Sequence, residues 1–292
     1  MINRILVIGA NGMLGSSIHR YFSRKTNFTV LGTVRLEEVK SRFSIAGFDN
    51  IVSGIDVGHL HNLAQVLSDF KPNVVFNCVG LIKQLAESKN PVPAIEINSL
   101  LPHKLAELCS LNDARLIHFS TDCVFLGDRG MYKESDVPDA SDIYGRSKLL
   151  GEVNYAPHVT LRTSIVGHEL DSNVSLIDWF LSQNGEVRGF TNAFFSGLPT
   201  IYVAKFVDEF ILTNPQVSGL RHLSVDRIDK HTLLQLVKEI YGKKVQIAPF
   251  HDFRIDRSLD SSYLRAEVDY FPPRWPELVK MMHQEYLKDF CA

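Results

Sequence analysis

Three glycines near the start of the chain limit what it can fold into more than any other feature. They stand in Gly9-Ala10-Asn11-Gly12-Met13-Leu14-Gly15, after the apolar run Arg4–Ile8 and before a helical pattern through residues 16–23. A run that is apolar throughout reads as a strand buried on both faces, as in a parallel sheet. Glycine then lets the backbone turn sharply and approach a pyrophosphate, and the helix N-terminus offers free N–H groups and partial positive charge. The spacing G-x-x-G-x-x-G is one residue wider than the usual dinucleotide fingerprint, but its strand–loop–helix setting favours a cofactor loop over a mere tight turn. Gly9, Asn11, Gly12, Met13, Leu14 and Gly15 are the expected cofactor contacts.

The rest of the chain repeats that alternation. Apolar runs at 28–34, 73–79, 115–120 and 159–166 predict strands, and helical spacing appears at 59–70, 94–111 and 143–153. Strands alternating with helices imply right-handed crossovers and a Rossmann-type α/β fold, a doubly wound parallel sheet. We expect a dinucleotide-binding domain over residues 1–160. Residues 161–292 should form mainly a smaller mixed α/β substrate-binding lobe, interleaved with the first. Helices are expected there at 174–181, 203–212 and 231–241, and a strand at 220–225. Pro272, Pro273 and Pro276 predict an ordered surface turn before a last helix, and Trp179 and Phe180 are expected in the core.

Composition excludes several function classes. The 292 residues are 45% hydrophobic and 22% charged, which fits a globular chain and not a wholly disordered one. Lys plus Arg number 31 against 33 Asp plus Glu, so with no excess of basic charge a general nucleic-acid binder held by phosphate neutralisation is not expected. No apolar stretch reaches the ~18 residues of a membrane span, and the short N-terminal apolar run is too brief for a secretory leader. Cys78, Cys109, Cys123 and Cys291 lack the spacing of a zinc knuckle or redox pair and read as reduced thiols. His59 and His61 have no cysteine or acidic cluster nearby, so no metal site is expected. The expectation is a cytoplasmic protein with neither nucleic acid nor membrane as partner.

The second predicted strand ends in Gly32-Thr33-Val34-Arg35. An NAD site would place an acid near this point for the ribose 2′-hydroxyl; a guanidinium suits a 2′-phosphate. Arg35 therefore favours NADPH, with NADH the alternative if Glu37 or Glu38 takes the ribose. Tyr144 and Lys148 stand four apart at a helix start and share a face. A cation beside a phenol favours phenolate and can lower its pKa by roughly 1–3 units, suiting it to donate a proton to a carbonyl as hydride arrives. Thr121, in Ser120-Thr121-Asp122 at a strand's C-terminal end, lies where open parallel sheets bind ligands. Its hydroxyl could hold the carbonyl, or merely close a turn. Cys123 reads as a small packing residue. Phe194 and Phe195, expected in a loop before Gly197, could cover a sugar or base ring or belong to the core.

The residues 9–15 (GANGMLG), 120–125 (STDCVF) and 144–152 (YGRSKLLGE), with looser matches at 197–207 and 257–264, resemble the extended short-chain dehydrogenases/reductases. More narrowly they resemble the dTDP-4-dehydrorhamnose reductase branch of sugar-nucleotide 4-keto reductases. The resemblance implies reduction of a nucleotide-linked 4-keto-6-deoxysugar by NAD(P)H, in precursor supply for a bacterial surface polysaccharide. It implies Thr121, Tyr144 and Lys148 as catalytic groups and Asn98 as the support of the lysine through water. Asp56 and Val57 would touch adenine, and Cys78, Val79 and Gly80, with Tyr144 and Lys148, would line the cofactor. The substrate set is Lys83, Thr121, Val124, Phe125, Tyr144, Phe194 and Arg257, the arginine meeting the diphosphate or else lying solvated at the surface. The chain departs from the branch at residues 78–83, at Cys123 and at Ser164-Ile165, all on the substrate side, which leaves the particular sugar open. A homodimer is compatible with it. An epimerase or epimerase/reductase on the same scaffold, and a non-catalytic regulatory subunit like that of methionine adenosyltransferase, are the alternatives.

Overall fold

The computed structural model describes residues 3–40, 50–82, 90–170 and 174–291. Among the described residues a seven-stranded parallel sheet forms the centre, in the order β10-β6-β5-β4-β1-β2-β3. Its strands are β1 (Arg4–Ile8), β2 (Thr29–Thr33), β3 (Ile51–Val52), β4 (Val74–Asn77), β5 (Arg115–Thr121), β6 (Val159–Thr163) and β10 (Gly219–His222). From β1 the chain moves outward to β2 and β3, then returns to pair β4 on the other side of β1. That reversal opens a crevice at the strands' C-terminal ends, where such sheets bind ligands.

The apolar strands owe their position to burial on both faces. Ile5 and Val7 of β1 pack with Val74, Phe76, Ile117 and Phe119 on one face, covered by Leu14, Ile18 and Phe22 of the helix α1 (Met13–Ser23). Leu6 and Ile8 face the other way, with Val75 and Leu116, beneath Leu63, Leu67 and Leu105. The last helix, Trp275–Asp289, is joined to α1 by polar contacts. Buried Glu285 accepts from Ser17 Oγ at 2.6 Å and Arg20 at 3.1 Å, and Asp289 pairs with Arg20 at 3.0 Å.

Several expectations need correction. The strand expected at 159–166 breaks at Ser164, and β7 (Ile165–Val166) pairs with β9 (Leu198–Pro199) instead. The helix expected at 143–153 stops at Leu150, before Gly151. The helical path expected at 94–111 is continuous from Pro91 but takes π geometry over Ile95–Leu100, where the Leu101 N–H reaches back five residues to Glu96. Pro102 follows and has no N–H for the Asn98 carbonyl, so the ordinary ladder cannot form there. A second sheet, in the order β11-β8-β12, was invisible in the sequence apart from its mixed character. β8 (Gly185–Phe195) and β12 (Val245–Asp256) pair in parallel across some 60 residues, flanked by β11 (Ile228–Asp229). Phe194 and Phe195 therefore end a strand, and do not lie in a loop. Trp179 is 37% exposed while Phe180 is fully buried. Neighbours on one helix point about 100° apart, so only one of the two could join the core.

Candidate active site

The glycine loop is held under β2. Gly9 and Ala10 both donate N–H to the Thr33 carbonyl, at 3.2 and 3.0 Å. Gly9 adopts a φ of +78°, in the left-handed region. A Cβ on Gly15 would lie 2.1 Å from the Gly9 carbonyl oxygen, so only glycine lets α1 start this close to the loop. Exposed Gly12 caps α1 with no side-chain bond, and no acid occupies the first turn. The positive end of the helix is thus left to an external anion, and a pyrophosphate fits this cradle.

Around it the structure gathers the other expected cofactor positions. Arg35 is exposed just beyond β2, and its carbonyl accepts from Gly54 at 3.2 Å while Val34 accepts from Ile55 at 3.1 Å. These bonds bring Asp56 and Val57 alongside Arg35 at one end of the crevice. Glu37, one of the acids that could have taken the ribose, accepts from Ser53 and pairs with Lys40 at 3.8 Å. Cys78 follows β4, its N–H bonded to the Ile8 carbonyl at 3.0 Å. Burial pushes its thiol up, so it stays protonated. A Cβ on Gly80 would stand 3.4 Å from Asn98 Oδ1 and 3.9 Å from Lys148 Nζ, which places the turn after β4 directly against the lysine. Lys83 lies outside the described residues.

The phenol, ammonium and strand-tip alcohol converge on β5. Thr121 Oγ1 donates to Asp122 Oδ1 at 3.2 Å and accepts from the Cys123 N–H at 3.1 Å, and it stands close enough to the Tyr144 phenol to act on its titration. Lys148 Nζ donates to the Phe119 carbonyl at 2.7 Å, two residues back on the same strand. Asp142 caps their helix by accepting from Gly145 N–H at 2.7 Å. Buried Asn98 holds Leu81 through both backbone groups, at 2.9 and 3.1 Å, and reaches Ser147 Oγ at 3.2 Å. The π turn aims it there.

Electrostatics differ from the expectation. Burial pushes the Tyr144 phenol up, with Cys123, Asp122 and Asp142 adding to the shift and Thr121 opposing it. Lys148 is pulled down to about 8 by burial, against the pull of Glu152 and Cys78. The anticipated lowering of the phenol is therefore not found, because dehydration outweighs a cation that is itself weakened and turned to a carbonyl. Burial also holds the Cys123 thiol up, at about 12.

On the substrate side the outcome is mixed. Val124 and Phe125 are fully buried in a small core with Tyr132 and Leu259, where the Phe125 and Tyr132 rings stack at 4.1 Å. Their side chains serve packing, and the expected contact with substrate does not fit that position. Arg257 is drawn in: its Nε–H donates to the Phe125 carbonyl at 2.7 Å, and its charge acts on Asp122 and Cys123. Phe194 is half-buried beneath the Arg227 guanidinium, 4.7 Å from its ring centre. Sequence reasoning missed Glu152, which accepts from Ser120 Oγ at 2.6 Å and from Arg162 at 2.9 and 2.6 Å. Its place four residues after Lys148 was the available signal. Lys230, which faces Asp122 and Arg257, was also missed.

The sequence matches the family described as RmlD substrate binding domain over residues 3–247. A probable low-salt glycan biosynthesis reductase from Haloferax volcanii is 34% identical over 147 residues, 50% of this chain and 46% of that protein. Methionine adenosyltransferase 2 subunit beta from Pongo abelii is 30% identical over 149 residues, 51% of this chain and 41% of that protein. The matched stretch thus spans somewhat under half the length of these two curated relatives. A crystal structure of dTDP-4-dehydrorhamnose reductase from Bacillus anthracis in complex with NADP superposes with a TM-score of 0.79 at 20% identity, covering 98% of this chain and 100% of that one. That likeness is one of fold.

Proposed function

The chain belongs to the RmlD substrate binding domain family, and from that premise we propose that it reduces the 4-keto group of a nucleotide-linked 6-deoxysugar, using NADPH. One observation carries the reading: the Tyr144 phenol stands beside Thr121 while Lys148 is anchored to the Phe119 carbonyl two residues back, all at the C-terminal end of β5 in the crevice beside the glycine loop. The loop backbone and the open end of α1 would hold the pyrophosphate, Arg35 the 2′-phosphate, and Lys148 the nicotinamide ribose. The bound nicotinamide would supply hydride for the keto carbon. Tyr144, kept protonated by burial, gives its proton to the carbonyl oxygen as that oxygen gains charge. Thr121 orients the oxygen, and Lys148 in its ammonium form offsets the phenolate left behind. Asn98 fixes the turn after β4 and the residue next to the lysine.

The test is a mass-spectrometric screen of NADPH-dependent products over dTDP-, UDP- and GDP-linked 4-keto-6-deoxysugars. A product two hydrogens heavier, with matching loss of NADPH, supports the reading; no turnover with any member refutes it. The similarity to methionine adenosyltransferase 2 subunit beta favours a second reading, a regulatory subunit. Copurification of a transferase, together with silence in the screen, would select it. An epimerase would instead retain its cofactor through purification and interconvert sugars without net loss of NADPH.

A further inference from the structure

Lys230 takes no part in the reaction as drawn, and no motif singled it out. It opens the helix Lys230–Tyr241, directly after the capping residue Asp229. β11 and β12 flank β8, and Asp229 of one and Asp256 of the other both pair with Phe194. Lys230 and Arg257 therefore each follow a residue level with Phe194, one on either side of it. Arg257 is pinned by the Phe125 carbonyl and lies against Gly127, where a Cβ would stand 2.6 Å from its Cγ. Both cations act on Asp122, the residue after Thr121. Lys230 is half-buried, and among the described residues its ammonium makes no hydrogen bond or ion pair. The Arg257 guanidinium keeps its terminal N–H groups similarly uncommitted there.

A partly buried cation without a partner is costly, and a second cation facing it adds repulsion. Burial and Arg257 both push the Lys230 ammonium toward losing its proton, with Asp122 and Cys123 opposing. A dianion placed between the two would relieve both costs. We propose that Lys230 supplies a second cation to the diphosphate seat that the family resemblance gives Arg257, so that the two together grip the bridge of the nucleotide sugar. The assignment rests on the nucleotide-sugar reading above and adds to it how the substrate is gripped. Planar, multidentate Arg257 fixes direction, while Lys230 acts as a compact point charge that follows the phosphate. Arg257 grips the carbonyl of Phe125, four residues after Thr121, which sets the seat on the same side of the crevice as that alcohol.

The experiment is calorimetric titration of the full chain with dTDP, UDP and GDP, their monophosphates, their nucleosides and NADPH. Wild type is compared with Lys230→Gln and Lys230→Arg. Lys230→Gln should weaken the preferred diphosphate by about tenfold to a hundredfold. It should weaken the monophosphate less and leave nucleoside and NADPH affinity in place, and Lys230→Arg should restore most of the loss. Wild-type diphosphate affinity in Lys230→Gln overturns the assignment. So does parallel loss of nucleoside affinity, because a phosphate seat does not touch the base. A wild type that binds NADPH but none of the three diphosphates overturns the nucleotide-sugar reading itself, a failure visible without any variant.

Discussion

Tyr144 is the residue whose loss should be most specific. Tyr144→Phe removes the proton donor and keeps the ring, so reduction should fall by about 10²–10⁴ while NADPH affinity holds. Steady-state rates with fluorescence titration of NADPH check this, and undiminished turnover would dismiss the assigned donor. Lys148 sets the pH dependence. Its pKa lies at about 8, so the required ammonium is present below that value and lost above it. kcat/KM for reduction should accordingly be level on the acid side and decline through about pH 8, while the raised phenol stays protonated; a profile level to pH 10 would contradict the role. Arg35→Asp should turn preference from NADPH toward NADH, since it exchanges a phosphate partner for a hydroxyl partner. Equal loss for both cofactors would show that Arg35 does not read the 2′-phosphate.

Elements explain what was legible in advance. β1, β4 and β5 carry unbroken apolar stretches at Ile5–Ile8, Val74–Phe76 and Leu116–Ile117 because both faces are buried there, so a single sequence displays them. The glycine loop could be read because Gly9 and Gly15 answer a local steric demand. β8 and β12 could not: Gly185, Gly189, Asn192 and Pro249 spoil the alternation, and the pairing is with a distant segment. Val124 and Phe125 misled for a different reason, since nearness to Thr121 in sequence does not tell a pocket wall from a core. Lys230 carried no local signal at all; only the register of three strands brings it to the site. The Arg162–Glu152 pair was hidden likewise, though it ties the end of the Tyr144/Lys148 helix to β5, β6 and, through His222 at 2.9 Å, β10. Arg162→Met would strand a buried carboxylate and should cost about 3–5 kcal/mol, read as a lower denaturant midpoint. A surface-like change below 1 kcal/mol would mean the carboxylate finds water.

On the scale of the whole molecule, the two halves of the chain do not separate. β10 completes the edge of the sheet begun by β1, and Arg257 reaches back to Phe125, four residues past Thr121 at the end of β5. The helix Trp275–Asp289 is tied by Glu285 and Asp289 to α1, whose first turn is the proposed pyrophosphate seat. NADPH should therefore slow amide exchange in residues 275–289 as well as in the loop, measurable by mass spectrometry; protection confined to the loop would show that the two ends are uncoupled. The same clasp bears on how the protein comes into being. Ser17 and Arg20 meet their partners only across 265–269 residues of chain, so these groups stay with water until that distant stretch has been made, and the clasp is among the latest contacts a growing chain can close.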